Sequence, residues 1–249
     1  MRKASSLDRC LIAAIAFGVL TVSCWAQGRN IRTVLFVKVK MDQEDSWKAA
    51  VKDYAALVKK AGSEQGFTVW QSQSGPYEYG VVWYSAKWKE KDEDDPKLKP
   101  VAAEMAALFA RLNTQTDSLE YWIDEMQPDM MISSKEIPKM VRTGRTRVVS
   151  GKMDDLKALF RDQIVPAVKK AGTTDYGVAV ARFGTPTNEV HSYIALNGWA
   201  DFDGPIGAEK GMTPAEFKAF QAKLAPLIES TEWAVWKYQP DLSYVPAAK

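Results

Sequence analysis

Hydrophobic and polar positions along the chain follow two rhythms, and together they predict a mixed α+β fold. Thr33–Lys40 is rich in Val, Leu and Phe and reads as a strand. From Asp42 to Lys60 the apolar residues Trp47, Ala50, Val51, Tyr54, Leu57 and Val58 recur at helical spacing. That stretch begins with acids and ends just before Gly62, as a helix should. Phe67–Ser72 and Tyr79–Ser85 read as strands joined by the turn Ser74-Gly75-Pro76. A charged run from Lys87 to Lys97 leads to a helix around Val101–Leu112, and Leu119–Met126 is a closing strand. The order is β-α-β-β-α-β.

The same order is then written a second time. Arg145–Val149, Asp154–Lys170, Tyr176–Arg182, Val190–Leu196, Pro214–Ile228 and Glu232–Tyr238 repeat strand, helix, strand, strand, helix, strand. The last helix opens on Thr213-Pro214-Ala215-Glu216, a capping residue followed by Pro, with an acid three positions on. Individual residues match as well. Val58-Lys59-Lys60-Ala61-Gly62 returns as Val168-Lys169-Lys170-Ala171-Gly172, Trp88 and Asp92 as Trp199 and Asp203, and Gln127-Pro128-Asp129 as Gln239-Pro240-Asp241. The spacing between matched positions grows from 110 to 112 residues, as single-residue loop insertions would produce. The expected organisation is a first α+β domain over 27–131, a linker over 132–140 and a second domain over 141–249.

The first 26 residues stand apart from this pattern. Arg2, Lys3 and Arg9 precede an apolar run from Leu11 to Val22, and Ala26 follows at a distance suited to signal peptidase. The expectation is a signal peptide over 1–26 and an exported protein, periplasmic or secreted. A second route stays open, in which Cys24 is lipidated and the product is a lipoprotein. Both cysteines, Cys10 and Cys24, fall in the segment, so a chain cut after Ala26 has no disulfide and no thiol nucleophile. The net charge of +2 is also carried by the segment, which leaves a balanced mature chain. Such a balance argues against a nucleic-acid partner and a polybasic membrane patch. No later apolar run is long enough to span a bilayer.

A duplicated β-α-β-β-α-β unit of this size, with a Gly-Pro hairpin and a Trp-Asp pair after the third strand, resembles the dimeric α+β barrel superfamily, which includes antibiotic-biosynthesis-monooxygenase-like domains. The resemblance implies two tandem ferredoxin-like domains forming an intramolecular pseudo-dimeric α+β barrel, and hence a monomer. It covers essentially the whole mature chain and rests on architecture, so it speaks to fold more than to activity. Cofactor-free oxygenation in that group needs an activatable electron-rich substrate and a few polar side chains. Haem-degrading relatives use a helix histidine, whereas His191, the one histidine, lies on a predicted strand. The expectation is a protein without a cofactor.

Standard catalytic motifs are absent: there is no P-loop, GxGxxG, HExxH, GxSxG or EF-hand loop. Without cysteine and with one histidine, zinc or blue-copper sites lack their preferred ligands. Strand alternation supplies the next clue. Leu119, Tyr121, Ile123, Trp233 and Val235 form a face suited to helices. The opposite face carries Glu120, Trp122, Asp124 and Met126 in the first copy, and Arg145, Arg147, His191, Tyr193, Glu232 and Trp236 in the second. His191, Tyr193 and Glu232 are the catalytic candidates; Arg145, Arg147, Trp236 and Trp122 are the ligand-binding ones. Arginines there would hold a carboxylate or enolate while His191 moves a proton. The plainer alternative is a buried network in which Glu232 pairs with the arginines. Trp88 and Trp199, matched in the two copies, read as structural anchors, and Lys87–Asp95 as a solvated loop or lid. Three functions stay open: an exported binding protein for a small aromatic or anionic molecule, a cofactor-free monooxygenase or isomerase of the barrel type, and a structural or interaction protein.

Overall fold

The computed structural model describes residues 30–134 and 136–246. The expected signal peptide, with Cys10 and Cys24, lies outside the described residues. The fold is mixed α+β with eight strands whose pairings are antiparallel. In chain order these are β1 (Ile31–Val39), α1 (Glu44–Lys60), β2 (Thr68–Ser72), β3 (Tyr79–Ser85), α2 (Ala102–Gln115) and β4 (Thr116–Met126). They continue with β5 (Met140–Val148), α3 (Met153–Leu159), α4 (Val165–Lys170), β6 (Tyr176–Phe183), β7 (Glu189–Leu196), α5 (Ala208–Gly211), α6 (Pro214–Leu224) and β8 (Ile228–Tyr238). No helix among the described residues is long and apolar enough to cross a membrane. The chain forms two compact units, cut inside β2 and β4 and after β8.

The first unit holds the chain up to Val69, Glu78–Glu120 and the residues from Gln239 on. Strands β1 and β3 pair from Ile31↔Ser85 to Val37↔Tyr79. Leu35, Val37 and Val39 bury one side of β1 against Trp47 and Val51 of α1, because alternate strand positions share a face and those helix positions share a stripe. Leu57 and Val58 meet Met105 and Phe109 where α1 and α2 pack. Helix α1 ends where Gly62 takes a φ of 68°, a conformation that glycine adopts without strain.

The charged run expected to be solvated is not uniformly so. It forms two tight turns, Trp88–Lys91 and Pro96–Val101. Glu90 is buried and accepts the Ala86 N–H at 2.9 Å, while buried Asp95 accepts from Ser63 Oγ at 2.6 Å and caps the second turn at Lys97 N. Acids with backbone donors in reach are cheaper to bury than to leave those donors unpaired. Trp88 and Trp199 are corrected too. They open turns rather than enter a core and are 40% and 53% exposed, Trp199 lying 5.5 Å from Phe202.

The second unit comprises Trp70–Tyr77 and Tyr121–Tyr238. Its strands run in the order β2, β8, β5, β7, β6, β4, with Trp70–Ser72 and Tyr121–Met126 as the parts of β2 and β4 it contains. One face is covered by helices, whose Leu156, Leu159, Ile164, Val165, Val168 and Phe220 pack on Val148, Tyr176, Val178, Val180 and Val190. The expected helix over 154–170 is interrupted at Phe160–Ile164 by a π turn. Pro166 lacks the N–H that a regular helix would need there, and the wider turn absorbs the missing bond. Helix α6 is closed by a full capping box between Thr213 and Glu216. Strand β5 starts at Met140, five residues before its expected start, and this extension matters for the site.

Candidate functional site

On the sheet face turned away from the helices, the second unit gathers a buried polar network. His191 (β7) is 3% exposed, and its Nδ1 lies 2.9 Å from Oδ2 of the fully buried Asp124 on β4. Its Nε2 is buried without a hydrogen-bond partner among the described residues, 3.6 Å from Glu189 Oε2. Glu189, 1% exposed, receives Arg145 Nε at 2.7 Å, Arg145 Nη2 at 3.1 Å and Arg147 Nη2 at 3.2 Å. Burial pushes the Glu189 carboxyl up, but the hydrogen bonds of Arg145 and Arg147 and the charge of Arg145 outweigh it and hold it below the usual carboxylate range. Trp122 tilts over the His191 ring at 4.6 Å and carries the Arg145 guanidinium at 5.1 Å.

The network therefore contains His191, Arg145, Arg147 and Trp122 as expected, but its acid is Glu189. Glu232 sits opposite Arg145 in the β5–β8 register yet is exposed, and the pairing of Glu232 with the arginines is corrected. Arg147 is itself exposed, so it braces Glu189 from the rim. Tyr193 turns elsewhere: its ring fills the room left by Gly177, and its hydroxyl donates to Asp175 Oδ1 at 3.2 Å. Asp175 is fully buried, its Oδ2 has no hydrogen-bond partner among the described residues, and burial raises its pKa to about 7 against the opposing hydrogen bonds of Tyr193 and the Tyr176 N–H. Trp236 is buried and donates from Nε1 to Thr143 Oγ1 at 3.0 Å.

The helix-covered face holds what the sequence reading missed. A cavity of about 330 Å³ lies between the sheet and the helices of this unit. Its walls include Phe160, Tyr176, Phe217, Phe220 and Trp233, with Thr146, Ser192, Glu209 and Gln221 as polar members and Arg142 as its cation. That size falls in the range of small-molecule sites, roughly 300–1,000 Å³. Arg142 projects from β5 on the same side as Gly144 and Thr146. Its guanidinium carbon lies 3.8 Å from the Trp233 ring centroid, and its Nε is buried with no hydrogen-bond partner among the described residues. Burial lowers its pKa, and the nearby Glu209 opposes that shift. Gly144 is required here: a Cβ would stand 2.6 Å from Trp233 Cζ3. The arrangement offers a largely apolar, aromatic-lined cavity with one poorly solvated positive donor. Among the described residues, no group of three or more His, Cys, Asp or Glu is arranged to hold a metal ion.

No family model matches the chain, and no curated protein matches it in sequence. Solved structures do. A candidate monooxygenase from Fusobacterium nucleatum matches with a TM-score of 0.62 at 14% identity, over 90% of this chain and 98% of that one. A second, from Lactobacillus acidophilus, gives 0.58 at 11% identity, over 89% and 98%. An anthrone oxidase-like protein gives 0.55 at 11% identity, over 86% and 92%. The chain shares their fold. The likeness agrees with the dimeric α+β barrel resemblance drawn from the sequence, and at these identities it extends to fold alone.

Proposed function

We propose that the second unit's cavity takes a small, flat, electron-rich aromatic with an ionisable hydroxyl and that the protein oxygenates it in a monooxygenase-type reaction without a cofactor. Arg142 is the observation that carries this reading. A buried donor left unsatisfied costs about 1–3 kcal/mol, and a ligand oxyanion at its Nε removes that cost. The guanidinium also lowers the pKa of a phenol or enol beside it, so the bound substrate ionises. Glu209, in the same cavity, takes the first proton. An electron-rich anion of this kind passes electrons to dioxygen directly. In balance, a ring methylene and one dioxygen become a ring carbonyl and water: two C–H bonds break, one oxygen stays on carbon, and the other leaves as water. Aromatic walls hold the ring flat and keep bulk water from the reacting carbon.

One further observation and one expectation from the sequence support the reading. The chain shares its fold with proteins named as candidate monooxygenases and as anthrone oxidase-like. The export expected from residues 1–26 also suits chemistry that draws only on dioxygen. An anthrone in air-saturated buffer is the direct test, with oxygen uptake and ketone formation followed together. Uptake and ketone should appear in equal amounts, and Arg142→Met should slow turnover by about a hundredfold. Binding of the anthrone without oxygen uptake would make this an exported binding protein, and no binding at all would overturn the assignment of the cavity.

A further inference from the structure

The first unit has a cavity of its own between sheet and helices, and its lining differs in kind from that of the second. It measures about 100 Å³ and is walled by the rings of Trp47, Tyr54, Phe67, Trp83 and Phe109. The Tyr54 ring centroid lies 5.3 Å from that of Phe67 and 5.6 Å from that of Phe109. No charged residue lines the cavity among the described residues; its polar members besides Tyr54 are Gln65, Asn113 and Thr116. Thr116 Oγ1 donates to the Leu112 carbonyl at 2.8 Å, which leaves the two neutral amides. Burial, and after it the Asp95 carboxylate, push the Tyr54 phenol up, so this wall stays uncharged as well.

The strand ladders locate the difference residue by residue. Counting back from the matched Trp88 and Trp199, Val81 answers Ser192 and Trp83 answers Ile194. Across β1–β3, Leu35 faces Val81 and Thr33 faces Trp83; across β5–β7, Gly144 faces Ser192 and Arg142 faces Ile194. Leu35 therefore stands where Gly144 leaves room, in keeping with the smaller volume, and uncharged Thr33 holds the place of Arg142. Val37 likewise answers Thr146, and Leu119, counted back from Gln127 and Gln239, answers Thr231. The hydroxyls of Thr146, Ser192 and Thr231 in the second cavity thus have the aliphatic counterparts Val37, Val81 and Leu119 in the first.

We propose that the first unit's cavity is a binding site for a small uncharged aromatic molecule, a single ring with one neutral polar group. Water finds few partners on such walls, and an apolar cavity of roughly 150 Å³ stays dry and holds benzene. The space here is of that order, so one ring fills it. The Gln65 and Asn113 amides both donate and accept, and they serve a hydroxyl or a carbonyl. An ion would leave its water shell for a site without a counter-charge, which disfavours carboxylates and ammonium groups. This site is independent of the oxygenation proposed for the second unit, whose cavity carries Arg142 and Glu209.

The test uses the whole protein and benzyl alcohol, with benzoate and benzylammonium as charged compounds built on the same ring. Methyl NMR separates the two cavities: Leu35, Val51 and Leu119 report the first, Val168 and Leu224 the second. At pH 7 benzyl alcohol should shift the first set saturably, and both ions should bind there at least about tenfold more weakly. Val81→Phe should fill the cavity and abolish the shifts of Leu35 and Leu119. Leu119→Thr, a milder change, should weaken binding severalfold by removing apolar surface. Absence of saturable shifts in the first set of the unaltered protein would overturn the proposal, as would benzoate binding there as tightly as benzyl alcohol. So would shifts that persist in a folded Val81→Phe variant.

Discussion

Trp233 lies across the guanidinium of Arg142, 3.8 Å from its Cζ, in space that Gly144 leaves open. The three residues act as one device. The ring covers one face of the guanidinium, and it could not lie there over a Cβ. Gly144→Ala should therefore displace the indole and cost about 1–3 kcal/mol, the usual range for overpacking. A lower thermal midpoint is the expected outcome, and an unchanged one would show that the stack yields easily.

Asp175 should make stability fall as pH rises. Its pKa is about 7 in the native state, raised chiefly by burial, whereas an unfolded aspartate titrates near the ordinary value of 3.8. Below the lower value both states are protonated and the residue contributes nothing. Between the two values the unfolded chain loses its proton while the native one keeps it, which favours unfolding; above about 7 the penalty is constant. At full development it is on the order of 4 kcal/mol. Asp175→Asn retains an acceptor for Tyr193 and removes the titration. Denaturation curves should show its advantage over the unaltered protein growing from pH 4 to 7 and then levelling off. An advantage that does not change with pH would disprove this account.

How much of this was legible in the sequence depends on which physical rule each feature obeys. Period-two alternation correctly put Trp233 with Val235 on the helix side, and His191 with Tyr193 on the other. Arg142 was missed because Gly144 breaks the apolar pattern of β5, so the strand seemed to begin at Arg145. Glu189 was missed because it lies one residue before the expected start of β7, and because Arg145 reaches it diagonally rather than bonding Glu232 directly opposite. Register and diagonal reach depend on three-dimensional pairing, which no local pattern encodes. The charged run misled for a different reason: such a run reads as solvated, although the turns inside it bury Glu90 and Asp95.

Glu189 should be the most sensitive member of the polar network. Glu189→Gln leaves two guanidinium groups facing a neutral amide. Because Arg145 and Arg147 retain side-chain exposures of 33% and 45%, water can serve them, and the loss should be about 1–3 kcal/mol rather than that of a fully buried pair. The carboxyl is held below its usual range, so its stabilising contribution is present above the unfolded pKa and lost as pH falls through the folded one. The Gln variant should thus converge with the unaltered protein in acid. Chemical denaturation at pH 7 and at pH 3 checks both statements.

His191 decides whether the network is structural or chemical. Its Nδ1 is engaged by Asp124, its Nε2 is shut off from solvent, and the cavity lies on the opposite face of the same sheet. A base in that position has no route to a substrate bound beside Arg142. His191→Gln should lower stability by about 1–3 kcal/mol and leave oxygen uptake within about twofold of the unaltered rate. In a double-mutant cycle with Asp124→Asn, the pair should show a coupling of about 0.5–3 kcal/mol in stability and none in turnover. If His191→Gln instead abolished turnover in a folded protein, with the loss following imidazole titration, His191 would be the general base and the reaction would belong on the polar face.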